Sequence, residues 1–241
     1  MNKSTPFNRV RIWDLPTRLF HWALALAVAG LIVTSKLGDD FLDWHARLGY
    51  LVLSLLLFRL VWGLVGGRWS RFTQFVPSLQ RLKDYLSGRY ASPAGHNPLG
   101  ALSVLAMLAV LLVQVLSGMM INDEDDGFMG PLYAHVPGWL SDLAGEYHED
   151  VGQYLIYALV ALHLVAIAWH VRRHNPKLVR AMVSGDQEVA TDVPPSHDSA
   201  KTRTLALAVW LASDLTSLAT TAKRASERNP CSGATCVNTT P

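Results

Sequence analysis

The chain has 241 residues, 50% of them hydrophobic and only 17% charged, with a formal net charge of +2. Its mean hydropathy is +0.20, and the apolar residues fall in long blocks, the composition of a membrane protein with a polar tail and not of a soluble domain. No nucleic-acid partner is expected, and Cys231 and Cys236, close together near the C-terminus, provide neither a disulfide framework for the apolar part nor a CxxCH haem-attachment motif.

Residues 1–18 are polar and basic, and Pro6 and Pro16 discourage a continuous helix there. No cleavable signal is expected, because Arg9, Arg11, Asp14 and Arg18 precede an apolar segment that lacks a small-residue cleavage site. The first apolar run, Leu19 to Ser35, carries His21 in its first turn. An acidic link with Asp39, Asp40 and Asp43 leads to the second, Trp44 to Val65, which has His45 at its start, Arg47 and Arg59 within it and Gly66-Gly67 at its end. A basic connection from Arg68 to Asn97 precedes the third run, Pro98 to Ile121, which is uncharged. An acidic loop containing Asp123, Glu124, Asp125, Asp126, Asp142, Glu146 and Glu149 leads to the fourth, Tyr147 to Val171, closed by Arg172, Arg173, Lys177 and Arg180. Such runs are long enough to cross the roughly 30 Å hydrocarbon layer as helices.

The fold class read from this is all-α: an integral membrane four-helix bundle with a polar C-terminal tail. Lys and Arg gather at the N-terminus, in the second-to-third connection and after the fourth run, so both termini of the bundle are expected in the cytoplasm. The chain divides into a cytoplasmic segment 1–18, a membrane domain 19–183 and a tail 184–241. Within the tail, 186–202 reads as a linker, and Leu205 to Ala222, interrupted by Asp214, as a fifth span or an amphipathic interfacial helix. The two cysteines read as idle thiols.

Histidines inside apolar runs are costly and mark function. His148 and His163 stand fifteen residues apart on the fourth run, roughly 22 Å along a helix and only about 60° apart around it. His45 and His148 both lie near the outer starts of their helices; His21 and His163 share the inner half. Four histidines on three helices thus form two level pairs. Paired neutral imidazoles in a bundle suit axial ligation of haem iron, whereas zinc wants four close ligands; an interhelical hydrogen bond is the plainer alternative. Gly49 and Gly152 each follow a histidine by four residues, one turn along on the same face, where a missing side chain lets a flat macrocycle approach or simply lets helices pack closely. Arg59 either snorkels to the headgroups or partners a haem propionate or quinone. His170 shares a face with His163 but abuts Arg172 and Arg173, an interfacial setting. His96, His135, His174 and His197 lie in polar segments and read as solvated.

The segments VRIWDLPTRLFHW, WHARLGY, FRLVWGLVGG, GHNPLGALSVLAMLAVLLVQVLSG and HEDVGQYLIYALVALHL together resemble the bacterial cytochrome b561 family, related to the b-type cytochrome subunit of nickel–iron hydrogenase, over residues 9–183. The resemblance implies a four-helix bundle in the bacterial inner membrane with two non-covalent, bis-histidine haems b. His21 would pair with His163 and His45 with His148, matching the depths above. It implies electron transport in a respiratory chain between the quinone pool and a redox partner, such as a c-type cytochrome or a dehydrogenase subunit. In that family the two fourth-helix histidines usually stand one residue closer together, which leaves room for another local register in this chain. Two haems roughly 20 Å apart along the helices would divide the crossing into short electron steps, with quinone chemistry at one surface. The acidic segment Asp123–Asp126 would steer a basic soluble partner or simply be solvated. Other functions compatible with the spans are an electron-transfer or anchor subunit of a hydrogenase-like or dehydrogenase complex, a haem-free assembly subunit, and a histidine-relay transporter or proton channel. The apolar third helix and the lack of an inverted repeat speak against the last.

Overall fold

The computed structural model describes residues 8–90, 94–123, 128–173, 176–189 and 193–227, the side chains of 215–227 apart. A short strand β1 (Asn8–Arg11) leads into helix α1 (Leu15–Thr34), and a turn at Asp39–Phe41 into α2 (Leu42–Val65). The connection that follows forms two short helices, α3 (Phe72–Phe75) and α4 (Leu79–Leu86), before α5 (Pro98–Gly118). Strands β2 (Asn122–Asp123) and β3 (Phe128–Met129) make a small ribbon, and α6 (Gly138–Glu146) continues through a π-helical turn, Tyr147–Gly152, into α7 (Gln153–Arg173). The chain ends in α8 (Leu178–Ser184), β4 (Asp186–Val189) and a long helix α9 (Ala200–Glu227). Four of these helical stretches, Leu15–Thr34, Asp39–Val65, Pro98–Gly118 and Gly138–Arg173, are long and apolar enough to cross a membrane.

The first helix begins four residues earlier than hydropathy alone places it. Asp14 caps it, accepting from the Thr17 N–H at 2.8 Å, and Pro16 falls in the first turn, where its missing N–H costs nothing. Asp14 is fully buried and also accepts from Ser70 Oγ at 2.8 Å and Trp62 Nε1 at 3.3 Å. One carboxylate therefore ties the start of α1 to the end of α2 and to the connection beyond it.

Helices α1, α2 and α5 share a core of Ala27, Val28, Val52, Leu53, Leu56, Leu111, Val115 and Met119. Helix α7 packs along α5 and has no buried residue; Leu162, Leu164, Val165 and Trp169 face outward. Among the described residues the all-α class has two exceptions, both two-stranded ribbons. One revises the linker reading of 186–202: β4 pairs antiparallel with β1, setting Arg9 against Glu188 and Arg11 against Asp186. Those cross-strand charges are opposite, and Ile12, Trp13, Ala94, Ala181, Val189 and Val193 close an apolar cluster beneath the ribbon. Both ends of the four-helix unit thus meet at one end of the bundle.

The tail helix also differs from expectation. Asp198 bonds Arg11 at 3.0 Å and Arg203 at 2.9 Å, fixing the foot of α9 beside β1. From there α9 runs back along α2, burying Ala206 among Phe20, Leu55, Phe58 and Trp62, with Val209 and Trp210 packed on the same cluster. Cys231 and Cys236 lie outside the described residues.

Asp14→Ala removes a cap and leaves the Ser70 hydroxyl and Trp62 N–H without their acceptor. We expect a loss of roughly 2–4 kcal/mol, read as a lowered unfolding temperature of the detergent-solubilised protein.

Candidate functional site: two facing histidine pairs

The rings of His45 and His148 face each other with centroids 6.3 Å apart and planes at 79°. Those of His21 and His163 do so at 6.5 Å and 52°. The first pair sits at the end of the bundle where α2 starts; the second lies toward the β1–β4 end. The ring set opposite His21 is that of His163, not His170. Two imidazole nitrogens bonded in line to one metal ion, each at about 2 Å, put their ring centres roughly 6.2–6.4 Å apart, so both pairs stand at the span that one ion between them fills. Among the described residues no three His, Cys, Asp or Glu side chains converge, as a closed zinc site would need.

At the first pair the outward nitrogens are held. His148 Nδ1 lies 2.9 Å from the Gln114 carbonyl and 3.2 Å from Ser117 Oγ. A carbonyl only accepts, so Nδ1 carries the proton and the Nε2 lone pair is left for a ligand. His45 Nδ1 lies 3.2 Å from Thr34 Oγ1, whose hydroxyl is itself 2.9 Å from the Gly30 carbonyl. The hydroxyl donates to that carbonyl and accepts from the ring, giving the same tautomer. Helix α5 comes close enough to do this because residue 118 is glycine: a Cβ there would sit 2.7 Å from His148 Cε1.

The π turn, Tyr147–Gly152, departs from the regular helix assumed in counting the fifteen-residue interval. One extra residue looped into the turn swings His148 from about 60° on one side of His163 to roughly 40° on the other, nearer α5. Gln114 Nε2 donates to the His148 carbonyl at 2.9 Å inside this turn, supplying a donor where the helical ladder is loosened. The two predicted glycines part company here. A Cβ on Gly49 would meet nothing within 4 Å, whereas one on Gly152 would collide with the Gln114 side chain and come within 2.9 Å of the Tyr147 ring. Open approach describes Gly49; close packing describes Gly152.

Toward the β1–β4 end the groups are differently served. His21 Nδ1 is hidden and has no hydrogen-bond partner among the described residues, and the same holds for Nη1 of Arg59 and Nδ1 of His96. Arg59 is only 4% exposed, so it does not snorkel; its guanidinium lies over Phe72 at 5.0 Å and Phe75 at 5.6 Å. His96 corrects the solvated reading. The connection folds under the bundle and sets its ring 4.7 Å from Trp13 and 5.3 Å from Phe75. Burial, then the charges of Arg59, His21 and His163, push His96 down to about 4. His135 and His197 are exposed as expected; His174 and residues 124–126 of the acidic segment lie outside the described residues.

The sequence model of one family, described as Prokaryotic cytochrome b561, matches residues 12–185. The chain belongs to the prokaryotic cytochrome b561 family. It is therefore a b-type cytochrome, a multi-pass electron-transfer membrane protein that uses haem. It is similar to the protein of Cupriavidus necator named "Probable Ni/Fe-hydrogenase B-type cytochrome subunit", 26% identical over 208 residues that cover 72% of this chain and 85% of that one. The Rhizobium leguminosarum bv. viciae protein of the same name is 24% identical over 220 residues, covering 77% and 91%. The Escherichia coli K12 "Probable Ni/Fe-hydrogenase 1 B-type cytochrome subunit" is 23% identical over 208 residues, covering 72% and 88%. No solved structure matches.

For a member of the cytochrome b561 family the donor set fits haem b: two imidazoles per level, no third His, Cys, Asp or Glu converging with them among the described residues, and Gly49 open beyond His45. Sequence reasoning passed over Gln114, Ser117, Gly118 and Thr34, and misread His96 as solvated. Gln114 had a signal, a lone amide in an uncharged apolar run; Gly118 and Thr34 had none. Gly118→Ala forces the His148 ring to shift, and Gly118→Val more so. Bound haem per protein is expected to fall stepwise from parent to Ala to Val, measured by pyridine haemochrome absorbance.

Proposed function

We propose that this chain is a dihaem cytochrome of the bacterial inner membrane that passes electrons between the quinone pool and a redox partner. His21 and His163 hold one haem b, His45 and His148 the other, and the N-terminus is cytoplasmic. The observation that carries this reading is the pair of facing imidazole couples, each at the span of two metal–nitrogen bonds, at two depths of an apolar bundle. Orientation rests on Lys and Arg gathering at the β1–β4 end, as the positive-inside rule requires of a cytoplasmic face.

When bound, haem b carries one electron at its iron. The residues of the chain do the rest. Gln114 and Thr34 hold the His148 and His45 rings in the ligating tautomer, which fixes ring orientation and raises their basicity. The apolar helices keep water from the crossing and lower the local dielectric. The names of the relatives support the partner: we read this chain as the electron-transfer subunit beside a hydrogenase-like or other dehydrogenase catalytic subunit. A c-type cytochrome would be the partner if the chain works alone. A histidine relay for protons would need titratable groups at successive depths along one path, whereas the four intramembrane histidines group at two levels only.

Reduced-minus-oxidised spectra of purified protein are expected to show low-spin b-type bands with two haems per chain. His45→Ala or His148→Ala should each lose one haem and keep the other. Full haem content in both variants would sink the ligand assignment.

A further inference from the structure

The end of the bundle near β1–β4 holds a buried cation with no ion-pair partner among the described residues. Arg59 is buried at 4% exposure, and its Nη1 has no hydrogen-bond partner among the described residues. A buried charge persists only if paired, and leaving one unpaired costs several kcal/mol. Asp14 is the carboxylate whose field reaches it, but that group is already committed to the Thr17 N–H, Ser70 and Trp62, and no ion pair joins it to Arg59. The faces of Phe72 and Phe75 supply a weak cation–π contact at best. The edge of Phe75 is shared with His96, whose Nδ1 is likewise hidden and unpartnered. His96 stands within electrostatic reach of His21 and His163, and Phe20 beside His21 lies 6.2 Å from Phe58 beside Arg59. Two nitrogen donors with unmet hydrogen bonds therefore border the same histidine couple, flanked by Phe72, Phe75 and Trp13.

We propose that Arg59 and His96 form a carboxylate receptor that takes a propionate of the haem held by His21 and His163. This rests on the ligand assignment above and adds to it two positioning residues and a direction of tuning. A guanidinium neutralising that propionate stabilises the reduced haem, which carries one positive charge fewer than the oxidised. The couple at His21 and His163 is then the higher-potential of the two. Among the described residues no buried cation with an unmet hydrogen bond borders His45 and His148, whose Nδ1 protons go to Thr34 and the Gln114 carbonyl and raise ligand basicity, which favours the oxidised state.

The test is spectroelectrochemical titration of the detergent-solubilised holoprotein, with His148→Ala used to identify the wave that belongs to the remaining haem. In Arg59→Gln that wave should move to lower potential while the other stays, and in Arg59→Lys most of the shift should be restored. His96→Phe, which keeps the ring packing against Trp13 and Phe75, should weaken haem retention at that site alone. Haem b dimethyl ester should bind the parent more weakly than haem b, and the difference should shrink in Arg59→Gln. An unmoved wave with unchanged ester discrimination in Arg59→Gln overturns the receptor. So does a parent wave that tracks added acetate, which would make the occupant a free anion, or a change confined to the KM for quinol, which would put a quinone head group there. A parent with fewer than two haems would instead defeat the underlying ligand assignment, a result distinct from any of these.

Discussion

The distance that two facing imidazoles must keep governs how the helices of this bundle are spaced. An unpartnered polar ring in hydrocarbon is expensive, and at the His45–His148 level both rings are anchored by neighbouring groups. Helix α5 shows how this is done at one level. Gly118 lets it approach the His148 ring, the Gln114 carbonyl takes the ring proton, and the Gln114 amide returns a hydrogen bond to the His148 carbonyl in the π turn. The irregular turn and the lone amide are two halves of one arrangement, since the turn presents the ring to α5 and the amide satisfies the carbonyl that the turn loosens.

The other level is built by the polar parts of the chain. Asp14 draws the start of α1, the end of α2 and the connection after it onto one carboxylate. That junction carries Phe72, Phe75 and His96 in under the bundle, and the β1–β4 ribbon seals the same end with Trp13 and Val189 in its cluster. Segments that look like solvated connections thus become the floor of a site. Arg59 lies buried in that floor, with the rings of Phe72 and Phe75 against its guanidinium in place of water.

The tail adds a feature beyond the family match, which ends at residue 185. Helix α9 packs on the cluster of Phe58 and Trp62, which Leu108 of α5 also meets, and its own Leu205, Leu207 and Leu211 face outward. It begins at a salt-bridged foot, Arg11–Asp198–Arg203, so its placement depends on β1 as well as on α2. The same few residues at one end of the bundle locate β1, the His21–His163 level and the added helix.

Four apolar runs, their order, the asymmetry of Lys and Arg, and the heights of His21, His45, His148 and His163 were legible in the sequence. Helix rise is fixed at about 1.5 Å per residue and span length is a local property of composition, so axial position follows from counting. The π turn that reorients His148 was not legible in that counting, which assumes a regular helix. Direction around the axis, and what stands opposite, depend on other helices and came only from the tertiary structure. That His163 and not His170 faces His21, that Gly152 receives Gln114 while Gly49 stays open, that Arg59 is sealed off instead of reaching the surface, and that His96 turns inward are all contacts between residues far apart in the chain. Hydropathy averages over a helix and records none of them, because a single side chain is buried or exposed by its neighbours in space.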